Sequence, residues 1–184
     1  VVLLAVGLRR GEALGLRWED IGLEERTLKI RQTLQRAAGK LQFLPPKTLR
    51  SARTVPMPTM CVAALRVHRE EQELERRKAG DTWQEFGLVF TTTIGTPLEP
   101  RNVNRWFASL CTRAKIRAIR LHDLRHTCAT FLLTQGVPAR VVMEILGHSE
   151  INVTMNIYAH VLPEVQRAAA DRLDELLSTV AGQQ

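Results

Sequence analysis

Aromatic residues make up only 5% of the 184 positions, and a single tyrosine, Tyr158, is present. Cysteine is equally sparse. Three residues, Cys61, Cys111 and Cys128, are odd in number and far apart, so neither a disulfide framework nor a CxxC zinc ribbon is available. They read as free thiols. No uncharged apolar run approaches the ~18 residues of a membrane span, and the N-terminus lacks the pattern of a signal peptide. A protein of the cytosol with no membrane partner is expected. Acidic residues are the minority charge, 19 against 26 Lys and Arg, a formal balance of +7. With 45% apolar and 24% charged residues, the low-hydrophobicity signature of a disordered chain is also missing.

The chain opens on Val1, and its first apolar run meets Gly7 with no helix-start signal ahead of it. It reads as a fragment of a longer protein. The positive excess is unevenly placed. Residues 36–54 hold five basic and no acidic side chains, and residues 99–140 hold eight basic against two acidic, so the remainder sums to −4. Such concentration suggests one positive face, the footprint of a polyanion such as nucleic acid.

Periodicity predicts a mainly α-helical α+β fold with one small three-stranded antiparallel sheet. Residues 11–18 continue a short helical pattern. Residues 27–35 alternate as a strand, Gly39 turns the chain, residues 41–44 return, and residues 53–55 form a third strand ended by Pro56. A helix should run from Pro58 to Gly80, and a short strand should occupy residues 88–92. Further helices are predicted from Pro100, over residues 122–134 before Gly136, and over residues 138–146 before Gly147. Residues 151–157 look like one more short helix, and residues 164–180 form an amphipathic one with Val165, Ala169, Leu173, Leu176 and Val180 on a stripe.

Candidate chemistry begins with LHDLRHT, where His122 and Arg125 lie three apart on one helix face. Imidazole beside guanidinium suits a phosphate oxygen, although a plain surface pair has the same spacing. His122 and His126 could chelate zinc, but the glutamate of HExxH is missing. A phenolate from Tyr158 at neutral pH costs roughly 4 kcal/mol unless cations or a base lie close. A lone tyrosine is otherwise an ordinary core-edge residue.

Taken together, five motifs fall in a recognisable order: GLRRGEALGLRW, a lysine followed by SxRTVP, LHDLRHTCAT, LGH and NIYAHV. Residues 7–162 thereby resemble the catalytic domain of the tyrosine recombinases, the phage integrase family. The resemblance implies a helical breaking-and-rejoining domain over residues 1–184, with an upstream DNA-binding domain absent. It implies a site-specific DNA recombinase that works through a 3′-phosphotyrosyl intermediate, without metal or cofactor. Arg9 would be the first catalytic arginine, with Arg10 as its rival and Glu12 supporting it. Lys47, with Lys40 as runner-up, would give a proton to the departing 5′ oxygen. His122, Arg125 and His148 would complete the phosphate site, Asp123 would support it, and Tyr158 would be the nucleophile. Arg50, Arg53, Arg101, Arg105 and Arg120 are candidate DNA contacts. Double-stranded attachment sites, self-association into a DNA-bound tetramer and accessory DNA-bending proteins are the implied partners. Val6 and Val153 stand where threonine is frequent in the family, both at supporting positions. Two rivals remain: a type IB topoisomerase of the same chemistry, and a noncatalytic DNA-binding module of the same fold.

Overall fold

In the computed structural model, the described residues are 1–46, 51–147, 166–167, 170–174 and 178. The expected mixture is found: helices surround a small antiparallel sheet. Among the described residues, no helix is long and apolar enough to cross a membrane.

Helix α1, Val2–Val6, is a single apolar turn without a capping side chain, and it buries Val2 and Val6. It stops at Gly7, whose φ of +66° is the left-handed conformation that glycine adopts without steric cost. Helix α2, Arg10–Leu14, starts with half of a capping box: the Arg9 backbone N–H donates to Glu12 Oε2 at 2.9 Å. Helix geometry ends at Leu14, short of the expected extent, and residues Trp18–Asp20 form a separate 3-10 turn.

The sheet carries the main departure from the sequence pattern. Strands β1 (Ile21–Gly22), β2 (Thr27–Ile30) and β5 (Arg53–Pro56) form the three-stranded sheet in the order β1-β2-β5, while β3 (Thr33–Ala37) and β4 (Lys40–Leu44) form a separate hairpin. The single strand expected over residues 27–35 is thus divided at Arg31 and Gln32. Arg31 turns to Asp20 at 3.0 Å, and the Gln32 amide donates to the Gly15 carbonyl at 2.8 Å. Leu28, Ile30 and Leu34 are all buried and all of one parity, so alternation continues through the break and conceals it. At the hairpin tip, Ala38 and Gly39 both have positive φ, which matches the twist of a tight two-residue turn.

Helix α3, Thr59–Ala79, buries Cys61, Val62, Leu65 and Gln72, and Gly80 ends it. Beyond it, residues 88–92 contribute only isolated bridges, Arg17 to Leu88 and Thr91 to Pro97, in place of the expected strand. Helix α4, Pro100–Arg113, has proline in its first turn, where a missing N–H costs nothing, and turns Phe107 and Cys111 inward. Helices α5, Asp123–Thr134, and α6, Ala139–Leu146, pack through Cys128, Ala129, Leu133, Val142 and Leu146. A larger cluster joins α1 and α2 to the sheet and α3, with Leu28, Val55 and Cys61 at its centre.

The helix expected over residues 151–157 lies outside the described residues. Of the stripe over residues 164–180, the described positions 166–167, 170–174 and 178 are helical.

Candidate active site

The site is organised by the end of α6. A helix leaves its last carbonyls without intrahelical partners, and the partial negative charge there favours cations. The Gly147 N–H covers the carbonyls of Met143 and Glu144. The next three are taken by three different arginines. Arg53 Nε donates to the Ile145 carbonyl at 2.7 Å, Arg125 Nη2 to Leu146 at 2.6 Å, and Arg9 Nη2 to Gly147 at 2.8 Å. Guanidinium groups from the start of α2, from β5 and from α5 therefore meet around one helix terminus.

Three cations this close repel each other, and Glu12 offsets them. Its buried carboxylate accepts from Arg9 Nη1 at 2.7 Å and spans Arg53, with both oxygens at 3.2 Å. Burial raises the Glu12 carboxyl, but the hydrogen bonds and charge of Arg53, followed by Arg9, hold it below the usual carboxylate range. Three guanidinium charges against one carboxylate leave an excess of two positive charges. Such an excess suits a dianionic phosphorane-like transition state better than a neutral ligand.

Arg125 is the most enclosed of the three, 2% exposed, and its Nη1 also donates to the Gly7 carbonyl at 2.6 Å. Burial first, and then the nearby Arg9 charge, push the group down to about 9, which leaves it cationic at neutral pH. Gly7 has to be glycine for this contact. An added Cβ would stand 2.3 Å from Leu146 Cδ2 and 3.2 Å from Cys128 Sγ. Arg9, by contrast, keeps a side chain 37% exposed, so it can reach an incoming anion. Arg10 is exposed on the first turn of α2, so it is Arg9 that enters the cluster.

His122 precedes α5 and stays exposed, while Arg125 points inward. The pair was expected on one face. His122 itself has helical backbone angles (φ −68°, ψ −25°), so the three-residue helical spacing to Arg125 is kept, and the Arg125 charge acts on its ring. The His122 ring meets His126 edge to face, with centroids 4.9 Å apart. Lost hydration and then the positive neighbours His126, Arg125, Arg120 and Arg9 lower its pKa below the ordinary 6.5. A neutral imidazole able to take a proton follows. Among the described residues, no three metal-ligating side chains gather.

Asp123 accepts the Arg120 backbone N–H at 2.8 Å and its Nη2 at 2.9 Å, closing the turn before α5. Arg120 itself is 82% exposed, and Arg101 and Arg105 are exposed on α4, where Arg105 reaches Asn102 at 2.6 Å. Lys40 is exposed at the start of β4. Arg53 differs from these. It was expected as a surface DNA contact, yet its side chain is 8% exposed and all three nitrogens donate to protein groups. Nothing local marks this, because SxRTVP alternation puts Arg53 on the face opposite the exposed Thr54 without saying what covers it. Lys47, Arg50, His148 and Tyr158 lie outside the described residues.

The phage integrase family model matches residues 1–164. This chain belongs to that family. Relatives include a XerC-like tyrosine recombinase of Caldanaerobacter subterraneus subsp. tengcongensis, 36% identical over 96% of this chain and 48% of that protein. The ICEBs1 integrase of Bacillus subtilis is 30% identical over 96% of this chain and 48% of its own length. Among solved structures, the Tn1549 transposon integrase in complex with transposon right end DNA superposes with a TM-score of 0.79. It is 26% identical, covering 94% of this chain and 57% of that one. XerA recombinase, at 24% identity and a TM-score of 0.70, covers 93% of this chain and 55% of that chain, and it shares the fold. The chain spans about half the length of the curated relatives it matches.

Proposed function

We propose that this integrase-family chain is the catalytic domain, over residues 1–184, of a site-specific DNA recombinase that breaks and rejoins strands through a phosphotyrosyl intermediate. The observation that carries this reading is the convergence of Arg9, Arg53 and Arg125 on the last carbonyls of α6, balanced by Glu12. The cluster is immediately followed in sequence by His148, and Tyr158 comes ten residues later.

In the proposed reaction the Tyr158 hydroxyl attacks the scissile phosphorus and loses its proton to His122. The P–O5′ bond breaks, the departing oxygen takes a proton from Lys47, and the phosphate remains joined to the tyrosine through its 3′ side. A 5′ hydroxyl from another strand then reverses these steps. Arg9 and Arg125 offset the charge that grows on the nonbridging oxygens. Bond energy is conserved in the ester, so strand exchange needs no nucleotide hydrolysis. Duplex DNA carrying attachment sites is the substrate, in the bacterial cytosol beside the nucleoid. A tetramer of the full-length protein, helped by DNA-bending proteins, is the working assembly, and residues 164–180 are the helix available for packing within or between protomers.

Covalent trapping tests the reading. The chain, in parallel with the full-length product of its gene, is incubated in EDTA with a pool of nicked duplexes randomised around the nick and run on a denaturing gel. A protein–DNA adduct is expected, and Tyr158→Phe should abolish it. An adduct that persists in Tyr158→Phe would mean another nucleophile.

A further inference from the structure

We infer that Arg53 is a positioning residue for the strand-cleavage reaction, tying β5, and with it the strand end nearest Lys47 in sequence, to Arg9 and to the terminus of α6. The inference rests on the recombinase reading above. Arg53 spends its nitrogens inside the protein. Nε holds the Ile145 carbonyl at 2.7 Å, Nη1 holds Glu12 Oε1 and the Ser51 carbonyl at 3.2 Å each, and Nη2 holds Glu12 Oε2 at 3.2 Å. With every nitrogen engaged and 8% of the side chain exposed, it is badly placed to act as a direct phosphate ligand. Its partners, however, are those that orient the phosphate site: Glu12 anchors Arg9, and Ile145 lies three residues before His148.

Gly147 provides independent support for the role. A Cβ there would approach Arg53 Nη1 to 2.6 Å, Cζ to 2.9 Å and Cδ to 3.0 Å. The Arg53 side chain therefore occupies the space a Cβ at Gly147 would need, and the missing side chain at this left-handed C-cap, one residue before His148 in sequence, keeps that approach open. Burial and the charge of Arg9 lower the Arg53 pKa, while Glu12 opposes both. An arginine is needed here for its planar fork. Lysine offers one nitrogen, which cannot span both Glu12 oxygens and the Ile145 carbonyl together.

The test compares Arg53→Lys with Glu12→Gln and the double variant, on the DNA sequence selected as an adduct former. Single-turnover cleavage, DNA affinity across a salt series and thermal melting are measured for each. Arg53→Lys, assayed well below its melting temperature, should slow cleavage by between about ten- and a hundredfold, the scale of an ångström-level misplacement. Its DNA affinity and salt slope should match those of the unsubstituted chain. Because Arg53 and Glu12 brace one another beside Arg9, the loss in the double variant should be smaller than the product of the two single losses. An unchanged cleavage rate in folded Arg53→Lys overturns the inference, as does a multiplicative loss in the double variant. In Arg53→Gln, which removes the charge, a salt slope reduced by about one would instead make Arg53 a direct phosphate contact and overturn the inference. Absence of any adduct from the unsubstituted chain would overturn the recombinase reading and this inference with it. An adduct with normal Arg53→Lys kinetics overturns this inference alone.

Discussion

A guanidinium at 2% exposure has surrendered most of its hydration, and only fixed acceptors make that tolerable. Arg125 finds them in two carbonyls, and Arg53 finds them in carbonyls and a carboxylate. Among the described residues, Glu12 is the one acidic side chain that touches both Arg9 and Arg53, so its charge decides whether the cluster can close. Removing one partner from a buried ion network costs about 3–5 kcal/mol, since the remaining charges lose compensation. Glu12→Gln should therefore lower unfolding stability by that order, as read from urea melts. The acid limb follows from the same group. A carboxyl depressed on folding contributes stability that is fully present above its ordinary value of 4.5 and is lost as the pH falls through its lowered folded value. The acid-side loss in unfolding stability should thus be smaller in Glu12→Gln than in the unsubstituted chain. The sequence pointed to Arg9, Glu12, His122 and Arg125 through their motifs. It could not show Arg53 as their brace, because a buried and a surface arginine read alike until a partner is seen.

Helix and turn boundaries were written locally, by residues whose backbone chemistry acts on its own neighbourhood. Proline at residues 58 and 100 precedes or opens α3 and α4, and glycine at residues 80, 136 and 147 follows α3, α5 and α6. The strands were less legible. Residues 27–35 keep one alternation across two different sheets, since period-two patterning records which face is buried and carries no label for the pairing partner. Glycines with positive φ differ in a way the sequence also hides. Gly39 at the hairpin tip has nothing within 4 Å of an added Cβ, whereas Gly7 has Leu146 Cδ2 at 2.3 Å. Gly39→Ala should cost only the left-handed backbone strain, about 1 kcal/mol. Gly7→Ala adds overpacking and should cost a further ~1–3 kcal/mol, with the difference visible in chemical denaturation midpoints.

Across the whole molecule, charge is sorted between an interior knot and an open surface. Arg53 and Arg125 are consumed inside, while Arg101, Arg105, Arg113, Lys115 and Arg117 stand exposed between Glu99 and Asp123 with no acidic residue among them. For the proposed DNA partner, the exposed group sets the salt response. Affinity for duplex DNA should fall linearly on a log–log scale, with a slope of about −4 if roughly four phosphates are neutralised. Arg101→Ala with Arg105→Ala should shallow that slope by about 2 in filter-binding titrations. An affinity indifferent to salt would remove the basic surface from the interaction.

By itself the sequence determined the limits of α3 to α6 and the alternation of buried positions along the strands, because these depend on residues within a few positions of one another. Tertiary structure alone decided which strand pairs with which and which nitrogens face inward. Arg125 meets Gly7 across 118 residues and Arg9 meets Gly147 across 138, and contacts at such separations exist only once the core of α1, α5 and α6 has closed and fixed where the free carbonyls of α6 point.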